Sequence, residues 1–225
     1  MYKFGAYLIL CLFLMFLDFY FDLRGLLTLI LDIIISIFLI TSFNDVKKTL
    51  KINYSHYLLY GIIILILLSV FKEILVRYFY DYPINDNNQI DAFFIGSIII
   101  KSFTEEVIFR GYWLKKLLEK HKVSTSIFIV SFGFAFLHFF ARNNPIFAFI
   151  SSIVLSYIFT KKQSILNTFM IHLSSNLFFI FGLPYIIAFY SNTEARIQIK
   201  TIVIVFLVII YLFKLLFKKS DDDKK

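Results

Sequence analysis

Apolar residues occur in eight runs along the chain, and short polar segments separate them. We predict eight helices whose bounds follow these runs: Ala6–Leu17, Leu26–Phe43, Tyr57–Phe71, Ala92–Trp113, Val123–Phe140, Ile146–Phe159, Ile165–Phe181 and Ile199–Phe217. The first run extends through Phe21 if Asp18 is tolerated within it. A membrane-crossing helix needs about 20 residues, and several runs are shorter, so a re-entrant segment is an alternative for one of them. Gly182 and Pro184 are expected to end the seventh helix.

The composition agrees with a membrane protein. The chain has 225 residues, of which 60% are hydrophobic and 20% aromatic, whereas soluble domains are nearer half apolar. Seven glycines and three prolines leave little room for long linkers. We therefore predict an all-α, polytopic membrane protein with about eight transmembrane helices in contact with a lipid bilayer. The single cysteine, Cys11, excludes both a disulfide framework and a cysteine-based metal site.

Basic residues cluster in every second polar segment. The formal net charge is +8, but short basic clusters between apolar runs are typical of cytoplasmic loops, so no nucleic-acid partner is expected. The segments predicted to lie inside carry Lys3, Lys47, Lys48, Lys51, Lys115, Lys116, Lys120, Lys122, Lys161, Lys162, Lys218 and Lys219. The segments predicted to lie outside carry Arg24, Lys72, Arg77, Arg142 and Arg196, with Lys200 nearby. By the positive-inside rule, both termini are inside.

Three charged residues, Glu105, Glu106 and Arg110, lie at the end of the apolar run that begins at Ala92. An ionised residue at the centre of a membrane helix costs about 2.5–3.5 kcal/mol, so these charges must lie near an interface, pair, or line a cavity. Glu106 and Arg110 are four residues apart with the acid first, which is the favoured order for a helical ion pair. Glu105 points about 100° away from Glu106. We expect a Glu106–Arg110 pair that leaves Glu105 free for chemistry.

Two further helices carry polar residues at helical spacing. Phe134 and His138 share one face of the fifth predicted helix, and His172 and Asn176 share one face of the seventh. Each His or Asn alone is commonly a hydrogen-bonding group between helices, and Phe134 is interpreted as a packing residue. Together with Glu105, however, the set can hydrolyse an amide. A carboxylate with a histidine can deprotonate a water, and a second histidine with an asparagine can stabilise the oxyanion.

Other chemistries remain as alternatives. Ser174 and Ser175 lie in the right region, but neither is part of a nucleophile-elbow pattern. One glutamate and two histidines can hold a catalytic zinc, although the chain has no His-Glu-x-x-His motif. Asp32, in the middle of the second run, is a functional candidate by default, and the sequence assigns it no partner. Asp18 and Asp22 are interpreted as membrane-interface residues.

Three motifs occur in order on successive polar-bearing helices: Glu105-Glu106-x-x-x-Arg110, Phe134-x-x-x-His138 and His172-x-x-x-Asn176. Each is weak alone, since Phe-x-x-x-His arises often in a chain with 30 phenylalanines. Together they resemble the signature of the CAAX-protease and bacteriocin-processing (Abi) family, which includes the type II CAAX prenyl endopeptidases. The resemblance covers roughly residues 90–190. It divides the chain into an N-terminal three-helix membrane region (1–89), a catalytic core (90–190), and a final helix with a charged tail (191–225).

The resemblance implies an eight-helix intramembrane endopeptidase. It also implies these roles: water activation for Glu105 and His138, oxyanion stabilisation for His172 and Asn176, and support of the site for Glu106 and Arg110. The family is often labelled metalloprotease, yet a glutamate-based mechanism without metal is also proposed for its prenyl-protein members. We expect no cofactor, and zinc is the competing interpretation.

The lysine- and isoleucine-rich composition is typical of a low-GC bacterium, and we expect a multi-pass protein of a bacterial cell membrane. Prenylated CAAX proteins are rare in such bacteria, so the expected substrate is a small peptide precursor or another membrane protein. One alternative is a bacteriocin self-immunity protein on the same scaffold. The other is a non-enzymatic scaffold or transporter in which Asp32 and the histidines relay protons or ions.

Overall fold

The computed structural model describes residues 2–21, 23, 26–53, 56–80, 91–140, 144–186 and 195–217. All regular structure in these ranges is helical, which confirms that the fold is all-α. The helices are α1 (Tyr2–Tyr20), α2 (Leu26–Ser42), α3 (Asn44–Lys47), α4 (His56–Tyr80), α5 (Ala92–Glu106), the π-helix Val107–Leu114, α6 (Lys115–Leu118), α7 (Val123–Phe140), α8 (Pro145–Lys162), α9 (Ile165–Leu177), the π-helix Phe178–Gly182, and α10 (Ala195–Phe217). Asp22, Arg24, Arg142 and the charged tail at 218–225 lie outside the described residues.

Several helices in the described part of the chain suit a lipid environment. Four are long and apolar enough to cross a membrane: His56–Leu75, Val123–Phe140, Pro145–Lys162 and Ile165–Ile186. Two shorter apolar helices are Ile9–Tyr20 and Leu26–Ser42. Large apolar side chains on these helices point outward, and among those more than half exposed are Phe13, Ile34, Phe128 and Phe132. Apolar surface on this scale marks contact with lipid or protein, and with the helix lengths it places the chain in a membrane.

One compact unit comprises residues 1–54 and 89–173. Its core contains Val107, Ile108 and Phe109 of the first π-helix, together with Phe134 of α7 and Phe159 of α8. Within this unit α7 packs against α8, and α2 packs against both α5 and the π-helix.

Asp18 joins the first two helices of this unit. Its carboxylate accepts hydrogen bonds from the backbone N–H groups of Leu27, at 2.9 Å, and Thr28, at 3.0 Å. A buried carboxylate at this position caps the N-terminus of α2, where backbone donors have no partner within the helix.

The second unit comprises residues 55–88 and 174–225. Here α4 packs against α10, and Val70 and Ile74 of α4 form an apolar cluster with Leu183. The hydroxyl oxygens of Ser69 and Ser175 lie 3.3 Å apart. Helix α9 begins in the first unit and ends in the second. Each unit combines two separate stretches of the chain. The units therefore do not coincide with the three consecutive segments that were defined from the motifs.

Two helices widen into π-helices, and one of these corrects a prediction. The backbone N–H of Leu183 donates to the carbonyl of Phe178, five residues earlier, and the helix that begins at Ile165 continues to Ile186. The prediction that Gly182 and Pro184 end this helix is therefore wrong. In a regular α-helix a proline ring clashes with the carbonyl four residues earlier. The wider turn before Pro184 shifts the hydrogen-bond register and so accommodates the ring.

Candidate active site

The candidate site is built at the C-terminal end of α5. Asp91 caps this helix, because its side chain accepts a 2.7 Å hydrogen bond from the backbone N–H of Phe94. The last two residues of α5 are Glu105 and Glu106, and both are buried. The chain then passes directly into the π-helix that carries Arg110, so the two carboxylates and the guanidinium lie on consecutive helical turns.

Glu106 is the centre of a buried network. Its Oε1 atom accepts a hydrogen bond from Arg110 Nη1 and another from His172 Nδ1, each 3.0 Å long. Glu106 and Arg110 are both 0% exposed. The ion pair predicted from the spacing of these two residues is therefore confirmed. The structure adds His172 of α9, which comes from 66 positions further along the chain.

Arg110 has two more partners besides Glu106. Its Nη2 atom donates to the hydroxyl of Ser152 on α8, at 2.8 Å, and lies 3.3 Å from the Ser152 carbonyl oxygen. The guanidinium also lies 4.8 Å from the ring centroid of Phe134, within the range of a cation–π interaction. Burying a charged group is tolerated only when it is paired and hydrogen-bonded, and these contacts satisfy that condition.

His172 lies between the two glutamates. A carboxylate can only accept a hydrogen bond, so the Nδ1 atom that contacts Glu106 carries a proton. The other ring nitrogen, Nε2, lies 3.8 Å from Glu105 Oε2, which is longer than a hydrogen bond. Glu105 is 7% exposed and His172 is 8% exposed. The two side chains therefore border the same confined region without bonding to each other.

His138 is oriented by its own helix. Its Nδ1 atom lies 2.9 Å from the carbonyl oxygen of Phe134, one turn earlier. A carbonyl only accepts, so Nδ1 donates and Nε2 of the neutral ring is left as the acceptor. The ring lies 4.2 Å from that of Phe134, and the Phe134 ring lies 6.0 Å from the ring of His172. A ring nitrogen that accepts can hold a water by a hydrogen bond.

Asn176 follows His172 by one turn of α9, as the spacing predicted. It belongs to the second unit, whereas the other five predicted site residues all belong to the first. The contribution of Asn176 to the site therefore stays a prediction, and the five other residues lie within one unit.

Residues 87–178 match the family model described as type II CAAX prenyl endopeptidase Rce1-like. This Rce1-like segment is thus similar to the type II CAAX prenyl endopeptidases. The matched range includes all three motifs, and the resemblance predicted from them is confirmed. No curated protein and no solved structure matches the chain. The similarity to an endopeptidase family, together with four membrane-length apolar helices among the described residues, fits a peptide substrate and a lipid bilayer.

Two residues near the Rce1-like site could not be assigned from the sequence. Ser152, 42 residues after Arg110 in the chain, accepts a hydrogen bond from the Arg110 guanidinium. In the sequence it is only a small polar residue on an apolar helix, and such residues often form contacts between helices. The second is Tyr7, whose hydroxyl donates a 2.9 Å hydrogen bond to Asp32. Tyr7 is thus a hydrogen-bond partner of Asp32 that could not be predicted from the sequence. It lies outside the Rce1-like segment.

Each histidine of the candidate site uses one ring nitrogen in a hydrogen bond. His172 donates one ring N–H to Glu106, and the Nδ1–H of His138 is held by its own helix backbone. Among the residues that the structure describes, no three His, Cys, Asp or Glu side chains are grouped so that they could hold a metal ion. A catalytic zinc needs three such protein ligands, and histidine ligands usually donate their other ring N–H to a carboxylate or carbonyl, as these two do. The expectation that the site uses no cofactor therefore stays a prediction.

Proposed function

We propose that the chain is an intramembrane endopeptidase that hydrolyses a peptide bond with a water activated by Glu105 and His138. The observation that carries this proposal is the difference between two adjacent carboxylates. Glu106 accepts hydrogen bonds from Arg110 and His172, whereas Glu105 borders His172 at 3.8 Å without a direct bond. Glu106 is therefore held as a structural anion, and the lack of a direct bond from His172 to Glu105 supports a role for Glu105 in activating a water. The Rce1-like match supports peptide-bond hydrolysis as the reaction of that water.

In the proposed reaction, Glu105 removes a proton from a water that also donates to Nε2 of His138. The water oxygen attacks the carbonyl carbon of the scissile peptide bond, and a tetrahedral oxyanion forms. Glu105 then transfers its proton to the leaving nitrogen. The carbon–nitrogen bond breaks, which releases an amine and a carboxylic acid and returns Glu105 to its ionised form.

We assign oxyanion stabilisation to His172 and Asn176. Because Nδ1 of His172 already donates to Glu106, Nε2 can donate to the oxyanion only when the ring carries both protons. Asn176 would supply a second donor through its side-chain amide. In this assignment Glu106 and Arg110 support the site by holding His172.

We further propose a multi-pass protein of a bacterial cell membrane, with eight helices and both termini inside. The proposed substrate is a small peptide precursor or another membrane protein. The proposed mechanism uses no metal, and resistance of the activity to chelators is the outcome expected from it.

The test compares peptides released by cells that carry the wild-type chain with those from Glu105→Gln and His138→Ala cells. Mass spectrometry of medium and membranes identifies the peptides, and immunoblots confirm equal amounts of each variant. The control is Glu119→Gln, which neutralises an exposed acid paired with Lys116. We expect a set of peptides to be lost in both site variants and kept in the control.

The opposite result would move the function to another class. If peptide profiles are the same in all strains, the chain is not a protease of this type. A phenotype of protection against a bacteriocin that survives Glu105→Gln would then point to self-immunity without catalysis.

A further inference from the structure

Three segments that connect apolar helices of the first unit are rich in lysine. Residues 44–53, 115–122 and 161–165 contain nine lysines and only two acidic residues, Asp45 and Glu119. Glu119 is paired with Lys116 at 2.7 Å. The proposed reaction uses none of these charges, so their role is a separate question.

The structure brings the three segments together at one end of the unit. The Nζ atom of Lys115 donates a 2.7 Å hydrogen bond to the backbone carbonyl of Asp45, which joins the second segment to the first. The backbone N–H of Ile165 donates to the carbonyl of Thr49 at 2.8 Å, which joins the third segment to the first. The lysines of three separate connections therefore form one basic surface.

Gly111 allows the segments to approach each other closely. A Cβ atom at this position would lie 2.6 Å from Cδ1 of Ile165 and 3.4 Å from Cγ1 of Val46. Val46 belongs to the first segment and Ile165 to the third, while Gly111 lies one helical turn before Lys115. All three residues are buried. The basic surface thus rests on a packed apolar contact, and its lysines extend from a fixed backbone.

The positive charges of this surface act on one another. Burial lowers the pKa of Lys115, and the ammonium groups of Lys48 and Lys51 lower it further, while Asp45 opposes these effects. Lys48 and Lys51 are exposed, so an external anion can reach them. An anion bound here would offset the repulsion between the lysines.

Aromatic residues indicate that the basic surface lies at the level of lipid headgroups. Tyr112 and Trp113 come shortly before Lys115 in the chain, and the ammonium of Lys161 lies 5.9 Å from the ring centroid of Tyr157. Tyrosine and tryptophan are enriched where membrane helices meet the headgroups. The surface also lies where the apolar helix α8 ends and α9 begins, which is where a membrane-crossing helix leaves the hydrocarbon.

We propose that this basic surface binds the phosphate groups of anionic phospholipids, with Lys48 and Lys51 as exposed contacts. Clusters of about four to eight basic residues beside a membrane helix attract anionic headgroups. Retention of basic residues on the cytoplasmic side needs only positive charge in each connection, whereas the contacts between the three segments hold the charges together as a binding surface. The proposal does not depend on the proposed peptidase activity.

The test uses Trp113, the single tryptophan of the chain, which lies two residues before Lys115. The full-length chain is reconstituted in vesicles of phosphatidylcholine and phosphatidylglycerol, and one of the two lipids carries brominated acyl chains. Quenching of the Trp113 fluorescence then gives the share of each lipid beside it. We expect phosphatidylglycerol to be enriched there above its share of the vesicle. Lys48→Gln/Lys51→Gln should lower this enrichment by about fivefold or more, since one basic residue near the surface contributes about fivefold.

Two further variants serve as controls. Lys48→Arg/Lys51→Arg keeps both positive charges and should keep the enrichment. Lys200→Gln/Lys214→Gln removes the same charge from α10 in the second unit, where both lysines are exposed, and should leave the enrichment unchanged.

Three outcomes would overturn the proposal. The first is no enrichment in the wild type, or the same enrichment in Lys48→Gln/Lys51→Gln. The second is an equal loss in the two glutamine variants, which would show only a response to net charge. The third is loss of the enrichment when inorganic phosphate replaces chloride at constant ionic strength, because the surface would then bind a soluble phosphate compound instead of a lipid.

Discussion

At the scale of single residues, two adjacent glutamates have different environments because a helix turns by about 100° per residue. Glu106 faces Arg110 and His172 and is 0% exposed, whereas Glu105 faces Nε2 of His172 at 3.8 Å. Removing one partner of a buried ion pair leaves an uncompensated charge and costs about 3–5 kcal/mol. Variants at Glu106 are therefore expected to report on folding, whereas variants at Glu105 report on the proposed chemistry.

A serine on α8 gives a sharp test of the same network. Ser152→Ala removes the hydroxyl that accepts from Arg110 at 2.8 Å, and a hydrogen bond to a charged group contributes about 1.5–3 kcal/mol. We expect a clearly lower thermal unfolding midpoint for the purified chain in detergent. The control is Ser156→Ala, because Ser156 is equally buried and its hydroxyl has no hydrogen-bond partner among the described residues. Equal midpoints for the two variants would contradict this account of Arg110.

At the scale of elements, the start of α9 is fixed to the segment that follows α3. The backbone N–H of Ile165 donates to the Thr49 carbonyl at 2.8 Å. The side chain of Asn167 both accepts from the Asn53 N–H, at 2.9 Å, and donates to the Asn53 carbonyl, at 2.6 Å. Because His172 lies little more than one turn further along α9, these contacts also fix its position relative to Glu106.

The prediction for α9 concerns the two hydrogen bonds between the Asn167 side chain and the Asn53 backbone. Asn167→Ala removes both, and we expect a loss of about 1–3 kcal/mol in the free energy of unfolding. Hydrogen–deuterium exchange should show faster exchange at the Asn53 amide. The matched control is Asn144→Ala, which removes an exposed cap from α8 and should leave exchange at Asn53 unchanged. If exchange at the Asn53 amide is unaltered in Asn167→Ala, the two side-chain hydrogen bonds do not stabilise the contact between α9 and this segment.

The sequence was sufficient for most helices because each apolar run is continuous. The predicted bounds Val123–Phe140 coincide with α7, and Leu26–Phe43 exceeds α2 by one residue. The Glu106–Arg110 pair was also predictable, since it depends on spacing within one helix. The π-helices were not, because their shifted hydrogen bonds have no compositional pattern. The contacts of Glu106 with His172 and of Arg110 with Ser152 were not predictable either, since they depend on which helices pack together.

At the scale of the whole molecule, the sequence predicts an orientation that follows from the distribution of lysine. Lysines at 47, 48 and 51 and at 115, 116, 120 and 122 fall in alternate connections between apolar helices. Basic residues are retained on the cytoplasmic side during insertion. The proposed catalytic chemistry does not depend on this orientation. The orientation does determine the compartment in which the products appear.

The prediction of topology can be tested with single cysteines, because Cys11 is the only native one. In a Cys11→Ala background, Asp91→Cys and Asn144→Cys should react with a membrane-impermeant maleimide on intact cells. Lys48→Cys and Lys120→Cys should react only after the membrane is permeabilised, since both lie in connections predicted to be cytoplasmic. The positions 91 and 144 are both helix caps, so their replacements cost similar stability, about 1 kcal/mol each. Labelling of 48 or 120 on intact cells would reverse the orientation, and labelling of 91 but not 144 would remove one crossing between them.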